Sequence, residues 1–323
     1  MKKNLLVAQS GGPTAVINSS LAGVIRGGIE NSDLVGEIYG SLNGIEGVEN
    51  DQIISLEHFR DADRLALLMQ TPSSYLGSCR KKLPTAEEDG EFYSRIMSVL
   101  KKHNIGYFFY IGGNDSMDTA DKLSRYAADI GDDIRIVGIP KTIDNDLAVT
   151  DHTPGYGSAA KYIGTSVKEI IQDSQALIYS KGLVTIVEIM GRNAGWLVGS
   201  AALSKGEDCD GPDLIYVPEL PFDIDNFLTR VRELLSKKAF VVVAVSEGIR
   251  LSDGRYVCEL TDGVDFVDAF GHKQLTGTAN YLARRLAQEI GCKTRTIELS
   301  SMQRAASHLA SRIDILEAFQ VGG

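Results

Sequence analysis

Residues 105–120 read IGYFFYIGGNDSMDTA. An apolar run of strand length enters two glycines, Gly112 and Gly113. Asn114 and Asp115 then open a stretch with helical periodicity. A strand handed through a glycine turn to a helix is the repeating unit of parallel α/β sheets, and ligands collect at the carboxyl ends of such strands.

The same grammar recurs on both sides. Apolar runs stand at 4–8 (NLLVA), 134–139 (IRIVGI), 183–189 (LVTIVEI), 214–217 (LIYV) and 239–246 (AFVVVAVS), separated by helical segments. Several end in glycine, as in SGG, VGIP and SEG. Strands that are apolar almost throughout and alternate with helices predict mostly parallel sheets covered on both faces. No polar linker or low-complexity stretch divides the 323 residues, so a crossing between domains is expected within DHTPGYGSAAKY at 151–162, where Pro and Gly cluster.

Composition narrows the function classes. Hydrophobic residues at 43% and charged residues at 24% are those of a globular protein, and no apolar run approaches the roughly 18 residues of a membrane span. The N-terminal MKKNLLVAQSGG has the two lysines of a secretory leader, but its apolar run is too short and no small-residue cleavage site follows, so it reads as a first strand. Cys79, Cys209, Cys258 and Cys292 are scattered without a CxxC pair, which indicates neither zinc site nor disulfide framework. A reduced, cytoplasmic protein is expected. A net charge of −10 argues against nucleic acid as a partner and leaves room for a local cluster of cations around a small anion.

Three loops carry chemistry. QSGGPTAVIN puts Gly11 and Gly12 after the first strand, with Asn18 near a helix start, an arrangement that aims backbone N–H groups at an anion. IGGNDS repeats it, although neither loop is a Walker A or a full GxGxxG fingerprint. GIPKTIDNDL, at 138–147, packs Lys141, Thr142, Asp144 and Asp146 behind an apolar strand. As a solvated turn it would merely cap a helix through Asp144 or Asp146. As a site it holds what phosphoryl transfer to an alcohol requires: a carboxylate to take the hydroxyl proton, a cation for the moving phosphoryl and a carboxylate for a metal. Arg192 follows a strand and Gly191 in EIMGRNAGWL, and its planar fork suits phosphate or carboxylate. Glu247 ends the most hydrophobic strand, placed either to cap a helix or to bind a sugar hydroxyl. Arg295 and Arg304 lie in KTRTIELSSMQRAA, and Arg80, Lys81 and Lys82 lie in GSCRKKL.

Taken in order, SGGPTAVIN, GSCRK, IGGNDS, PKTIDND, VEIMGR, VSEG and RTIELSSMQR resemble the phosphofructokinase superfamily of the bacterial type, over residues 4 to 315. The resemblance implies two Rossmann-like three-layer domains with the active site in the cleft between them. Residues 1–156 and 303–323 would form the phosphoryl-donor domain and 157–302 the sugar-phosphate domain. Asp144 matches the base that deprotonates the sugar 1-hydroxyl, Asp146 the second carboxylate, and Thr142 a contact to the transferring phosphoryl. Met190, Gly191, Arg192 and Glu247 match sugar contacts, and Arg295 and Arg304 match the arginines that hold the 6-phosphate. Gly11, Gly12, Arg80, Gly113, Asn114, Asp115 and Ser116 match the donor side.

Departures from the ATP-using pattern point to the donor. Where ATP enzymes carry glycines in GGDGS and PGTIDND, this chain has Asp115 and Lys141. A carboxylate there repels a nucleotide α-phosphate, which resembles the pyrophosphate-dependent branch, and Lys141 supplies charge to a two-phosphate donor. The resemblance thus implies reversible, Mg²⁺-dependent transfer from pyrophosphate to fructose 6-phosphate in glycolysis. The alternatives are an ATP-dependent 6-phosphofructokinase and a non-catalytic sugar-phosphate sensor, the latter disfavoured by the intact TIDND. Asn114 replaces the usual magnesium-associated aspartate, so the expected metal ligands are Asp115 and the Asn114 amide oxygen. Ser301 replaces a histidine that often contacts the sugar. The resemblance also implies a homodimer or homotetramer, with an arginine borrowed between subunits, and a chain lacking the last elements of the donor-side domain.

Overall fold

The computed structural model describes residues 2–177, 180–260 and 275–323. The first half runs β1 (Lys3–Gln9), α1 (Ile17–Glu30), β2 (Val35–Ser41), α2 (Gly44–Glu49), β3 (Ile53–Ser55), α3 (Ala62–Gln70), α4 (Gly90–Lys102), β4 (Ile105–Gly112), α5 (Asn114–Asp129) and β5 (Arg135–Pro140). Then α6 (Tyr156–Gln175) crosses to β6 (Leu183–Ile189), α7 (Trp196–Gly199), β7 (Leu214–Tyr216), α8 (Ile224–Leu235), β8 (Phe240–Ser246), α9 (Thr278–Glu289) and β9 (Lys293–Glu298). The short α10 (Met302–Ala305) and the C-terminal α11 (Arg312–Gly322) complete the chain.

Among the described residues two sheets form, in the orders β3-β2-β1-β4-β5 and β7-β8-β6-β9. All pairings are parallel except that of β2 with β3. Alternating residues of β1 explain the layering: Leu6 and Ala8 face a core shared with α2, α4 and α5, whereas Leu5 and Val7 face one shared with α1 and α3. The second sheet is covered in the same way by α8 and α9 on one face and by α6 and α7 on the other. The expected pair of three-layer, mostly parallel α/β units is therefore present.

Three strands were hidden in the sequence: the three-residue β3 is too short to stand out, and the other two lack a clean apolar run. In β2, VGEIYGS, two glycines and a glutamate interrupt the apolar run. Gly36 is required there because a Cβ would lie 2.4 Å from Asn4 Oδ1, which accepts the Glu37 N–H at 2.9 Å. The other is β9, KTRTIE, an edge strand, whose half-buried polar residues lack the apolar signature of a central strand.

The far end of the chain returns to the first sheet. Phe319 of α11 packs on the α1 core, and the helices approach so closely that a Cβ on Gly23 would lie 2.1 Å from the Phe319 carbonyl. Asp314, 2% exposed, accepts the Gly155 N–H at 2.9 Å and the Ser158 N–H at 2.8 Å. It thus supplies the cap that α6 lacks from its own residues, and charge at a helix N-terminus adds to the effect. Replacing Asp314 with Ala is expected to cost about 2 kcal/mol of unfolding free energy. Urea denaturation checks this, and an unchanged midpoint would remove the cap from the account.

Candidate active site

Topology brings the glycine loops together. In the first sheet the connections leave β1 on one side and return to β4 on the other, so a crevice opens at the carboxyl ends of β1 and β4. These ends carry Gly11–Gly12 and Gly113–Ser116. The second sheet has its own reversal between β6 and β9, whose ends carry Met190–Arg192 and Ser300–Arg304. Both crevices open into one cleft of about 1140 Å³, lined also by Arg80, Lys141, Thr142, Asp144, Asp146 and Glu247.

The first-sheet wall is cationic. Lys141, 4% exposed, donates from Nζ to the Gly12 carbonyl at 2.7 Å, and its own N–H donates to the Gly112 carbonyl at 2.9 Å. Gly11 has φ +76°, and a Cβ on it would lie 3.1 Å from Lys141 Nζ. A Cβ on Gly12 would lie 3.1 Å from an Arg304 terminal nitrogen, so the two glycines let two cations close onto the turn. Burial, followed by the charges of Arg304 and Arg80, pushes the Lys141 ammonium down to about 8, although Asp144 opposes the shift. Arg304 is lowered by burial and by Arg80, and its buried Nε has no hydrogen-bond partner among the described residues. A wall of crowded cations with an unsatisfied donor is built for an anion.

Buried amides hold this wall in place. Gln9 Nε2 donates to Asn18 Oδ1 at 3.0 Å, and Asn18 Nδ2 donates to the Thr71 carbonyl at 2.8 Å. Gln9 Oε1 accepts the Leu76 N–H and Asn18 Oδ1 the Tyr75 N–H, both at 2.9 Å. These bonds fix the segment leading to Arg80, and the Cys79 carbonyl accepts the Gly11 N–H at 3.1 Å. Asn18 is thus a loop anchor and does not face an anion. Lys81 turns away to Glu49, so of the three expected cations only Arg80 lines the cleft.

Between the walls lies the TIDND loop. Asp144 N–H donates to Thr142 Oγ1 at 3.2 Å, and neither Asp144 nor Asp146 caps a helix. The loop is held by Asn145, in left-handed geometry with φ 55°. Its Oδ1 accepts the Thr153 N–H at 2.9 Å and its Nδ2 donates to the Asp151 carbonyl at 3.2 Å. The Thr153 hydroxyl in turn donates to the Thr142 carbonyl at 2.9 Å. Burial and then the neighbouring Asp146 push the Asp144 carboxyl up to about 6, against the pull of Lys141, Arg192 and Arg304. A carboxylate with that affinity is suited to take a proton near neutral pH. Asn114 donates from Nδ2 to Asp146 at 3.2 Å, leaving its Oδ1 without a partner among the described residues. Asp115 stands half-buried in the first turn of α5.

The second-sheet wall supplies carboxylates and arginines. Gly191 N–H points at Glu247 at 3.4 Å, and Glu247 is pushed up to about 7 chiefly by burial. A side chain at Gly248 is excluded, since its Cβ would lie 2.1 Å from the Arg192 carbonyl, and this close approach sets Glu247 beside Arg192. Gln303, 1% exposed, accepts the Met190 N–H at 3.1 Å and donates to the Ser300 carbonyl at 2.9 Å, joining the β6 end to the loop that carries Arg304. Glu188 also faces the cleft, raised to about 7 by burial while accepting the Ala279 N–H at 2.7 Å.

The geometry brings nearly all the expected residues to one cleft. Arg295 is the exception: it lies on β9 outside the cleft and pairs with Asp173 of α6. Its strand position turns it away from the loop that carries Arg304, so the two arginines do not meet within one chain. Sequence reasoning missed Asn145, Gln303, Glu188 and Arg250. Asn145 was visible inside TIDND, but its value lies in backbone contacts that spacing does not reveal.

Known proteins resemble this chain over nearly its whole length. The family description Phosphofructokinase matches residues 4–322. The pyrophosphate–fructose 6-phosphate 1-phosphotransferase of Xanthomonas campestris pv. campestris is 44% identical over 319 residues, covering 99% of this chain and 75% of that protein. The protein of the same name from Halomonas elongata is 40% identical over 319 residues, with coverage of 99% and 75%. The crystal structure of pyrophosphate-dependent phosphofructokinase from Nitrosospira multiformis superposes with a TM-score of 0.87 at 36% identity, covering 100% of this chain and 75% of that one. With its motifs gathered at the two sheet reversals and the match running almost from end to end, the chain belongs to the phosphofructokinase family.

Proposed function

We propose that the chain transfers a phosphoryl group reversibly from pyrophosphate to the 1-hydroxyl of fructose 6-phosphate, yielding fructose 1,6-bisphosphate and phosphate, a glycolytic step. The observation that carries this reading is the meeting of Asp144 with the Lys141 wall above Gly11–Gly12. In the forward direction the sugar oxygen bonds to the donor phosphorus, the bridging P–O bond breaks, and phosphate leaves. Asp144 takes the hydroxyl proton, while Lys141 and Arg80 face the charge on the donor oxygens; Arg304, read from the sequence as a holder of the 6-phosphate, stands beside them against Gly12. Thr142 contacts the moving phosphoryl, and Met190, Gly191, Arg192 and Glu247 hold the sugar. The donor side is assigned to residues 1–156 and 303–323, and the sugar side to 157–302.

Asp115 selects the donor. Its carboxylate stands in the cleft beside Gly113, Asn114 and Ser116, where the further phosphate of a nucleotide would be repelled. Mg²⁺ fits the same corner: it prefers one or two carboxylates together with substrate phosphate oxygens and water. Asp115, Asp146 and the Asn114 Oδ1 are the groups that would hold it, and when bound it neutralises charge on the phosphates. Arg295, outside its own chain's cleft, is left for a neighbouring copy in a homodimer or homotetramer. A cytoplasmic setting goes with this reading, and the four free thiols agree with it. Among the described residues no helix is long and apolar enough to cross a membrane.

Asp144→Asn is expected to lower turnover by roughly a hundredfold to ten-thousandfold while fructose 6-phosphate still binds, and unchanged turnover would refute the base. The pH profile follows from two groups with opposite requirements. Asp144 must be ionised, so the rate falls as pH drops through about 6. Lys141 must be charged, so it falls again as pH rises through about 8. A forward rate that climbs steadily across pH 8 would exclude this role for Lys141. Combining Asp115→Gly with Lys141→Gly is expected to raise the preference for ATP over pyrophosphate at least roughly tenfold. No gain for ATP, measured as the ratio of kcat/KM values, would show that the carboxylate is not the barrier.

A further inference from the structure

Arg250 lies three residues beyond Glu247, in a turn that the sequence motifs do not mark. A bridge between Arg250 and Tyr256 closes a small antiparallel loop, anchored where the Arg250 carbonyl accepts the Phe222 N–H at 2.7 Å. Both residues line the cleft. One terminal nitrogen of Arg250 donates to Asn193 Oδ1 at 2.7 Å and to the Tyr256 hydroxyl at 2.6 Å, and the guanidinium lies 4.4 Å from the centre of the Tyr256 ring.

The other cleft arginines have local charge to answer. Arg192 pulls against the burial that raises Asp144 and Glu247, and Arg304 crowds onto Gly12 beside Lys141 and Arg80. Arg295 is outside the cleft on Asp173. Arg250 differs in that its partners among the described residues are neutral: an amide oxygen, a hydroxyl and a ring face. It is therefore held rigidly in one orientation with its full charge uncompensated and with Nε and the second terminal nitrogen still able to donate. A sugar phosphate entering between these carboxylates needs such a cation on the sugar side, because Glu188, Glu247 and Glu298 line the same wall.

We propose that Arg250, oriented by Asn193 and Tyr256, is a sugar-side contact for the phosphate of the sugar phosphate, taking within this chain the place that Arg295 does not occupy. This rests on the sugar-phosphate reading above. Arginine's fork matches two phosphate oxygens, and stacking on a tyrosine keeps it extended without neutralising it.

The test is calorimetric titration of the full chain with fructose 6-phosphate and, separately, with pyrophosphate, together with steady-state KM values for both. Arg250→Gln is expected to weaken fructose 6-phosphate at least roughly tenfold while pyrophosphate affinity stays within about twofold. Arg250→Lys, which keeps the charge, is expected to recover part of the loss, and Tyr256→Phe, which keeps the ring, to weaken the sugar phosphate by less than Arg250→Gln. Equal losses for both ligands, or sugar-phosphate binding unchanged in Arg250→Gln, would overturn the assignment, as would an Arg250→Lys variant no better than Arg250→Gln. The parent reading fails separately: if the unaltered chain binds fructose 6-phosphate through Arg250 but does not turn it over with pyrophosphate, the reaction is wrong and the phosphate contact stands.

Discussion

A lysine ammonium buried against the Gly12 carbonyl, with two guanidinium groups for neighbours, is the constraint on which this structure turns. Burying a cation is costly, and crowding it with like charges more so. Only Asp144 answers it from the protein side among the charges that act on it. The two glycines let the cations approach the turn, and the same cations make that turn receptive to phosphate oxygens. Fold stability and ligand binding therefore pull in opposite directions at Lys141, and the ligand resolves the conflict by supplying the missing negative charge.

Holding such a wall requires rigid support, and the support is neutral. Gln9 and Asn18 secure the Arg80 segment, Asn145 and Thr153 shape the loop beneath Asp144, and Gln303 ties the Arg304 loop to β6. Amides and hydroxyls can fix geometry without adding further charge to the cleft. Carboxylates appear on the opposite side, where burial raises Asp144, Glu247 and Glu188 toward neutrality. The cleft is thus divided into a cationic wall and a proton-accepting wall, with Asp144 at the boundary.

Much of this was legible because it rests on local patterns. The run into Gly112–Gly113 predicted a strand, its turn and helix α5, and the TIDND segment predicted a charged loop behind β5. What escaped depended on long-range placement. β2 and β9 are polar or glycine-broken, and only their neighbours in the sheet make them strands. Arg295 reads like a site arginine, but the register of β9 against β6 turns it out of the cleft to Asp173. Arg250 carries no motif, and its placement comes from a turn closed by Tyr256 and from Asn193, which is distant in sequence. Asn114, read from the sequence as a metal ligand through its amide oxygen, donates to Asp146, a contact no spacing could reveal.

The central claim is that the wall around Lys141 is matched to a donor of two phosphates and closed by Asp115 to a longer one. Initial rates of fructose 6-phosphate phosphorylation by the unaltered chain, with pyrophosphate and ATP compared side by side at equal Mg²⁺, test it most directly. The account predicts rapid turnover with pyrophosphate and a kcat/KM for ATP lower by at least roughly a hundredfold, as several kcal/mol of like-charge repulsion require. Comparable or better use of ATP would contradict it.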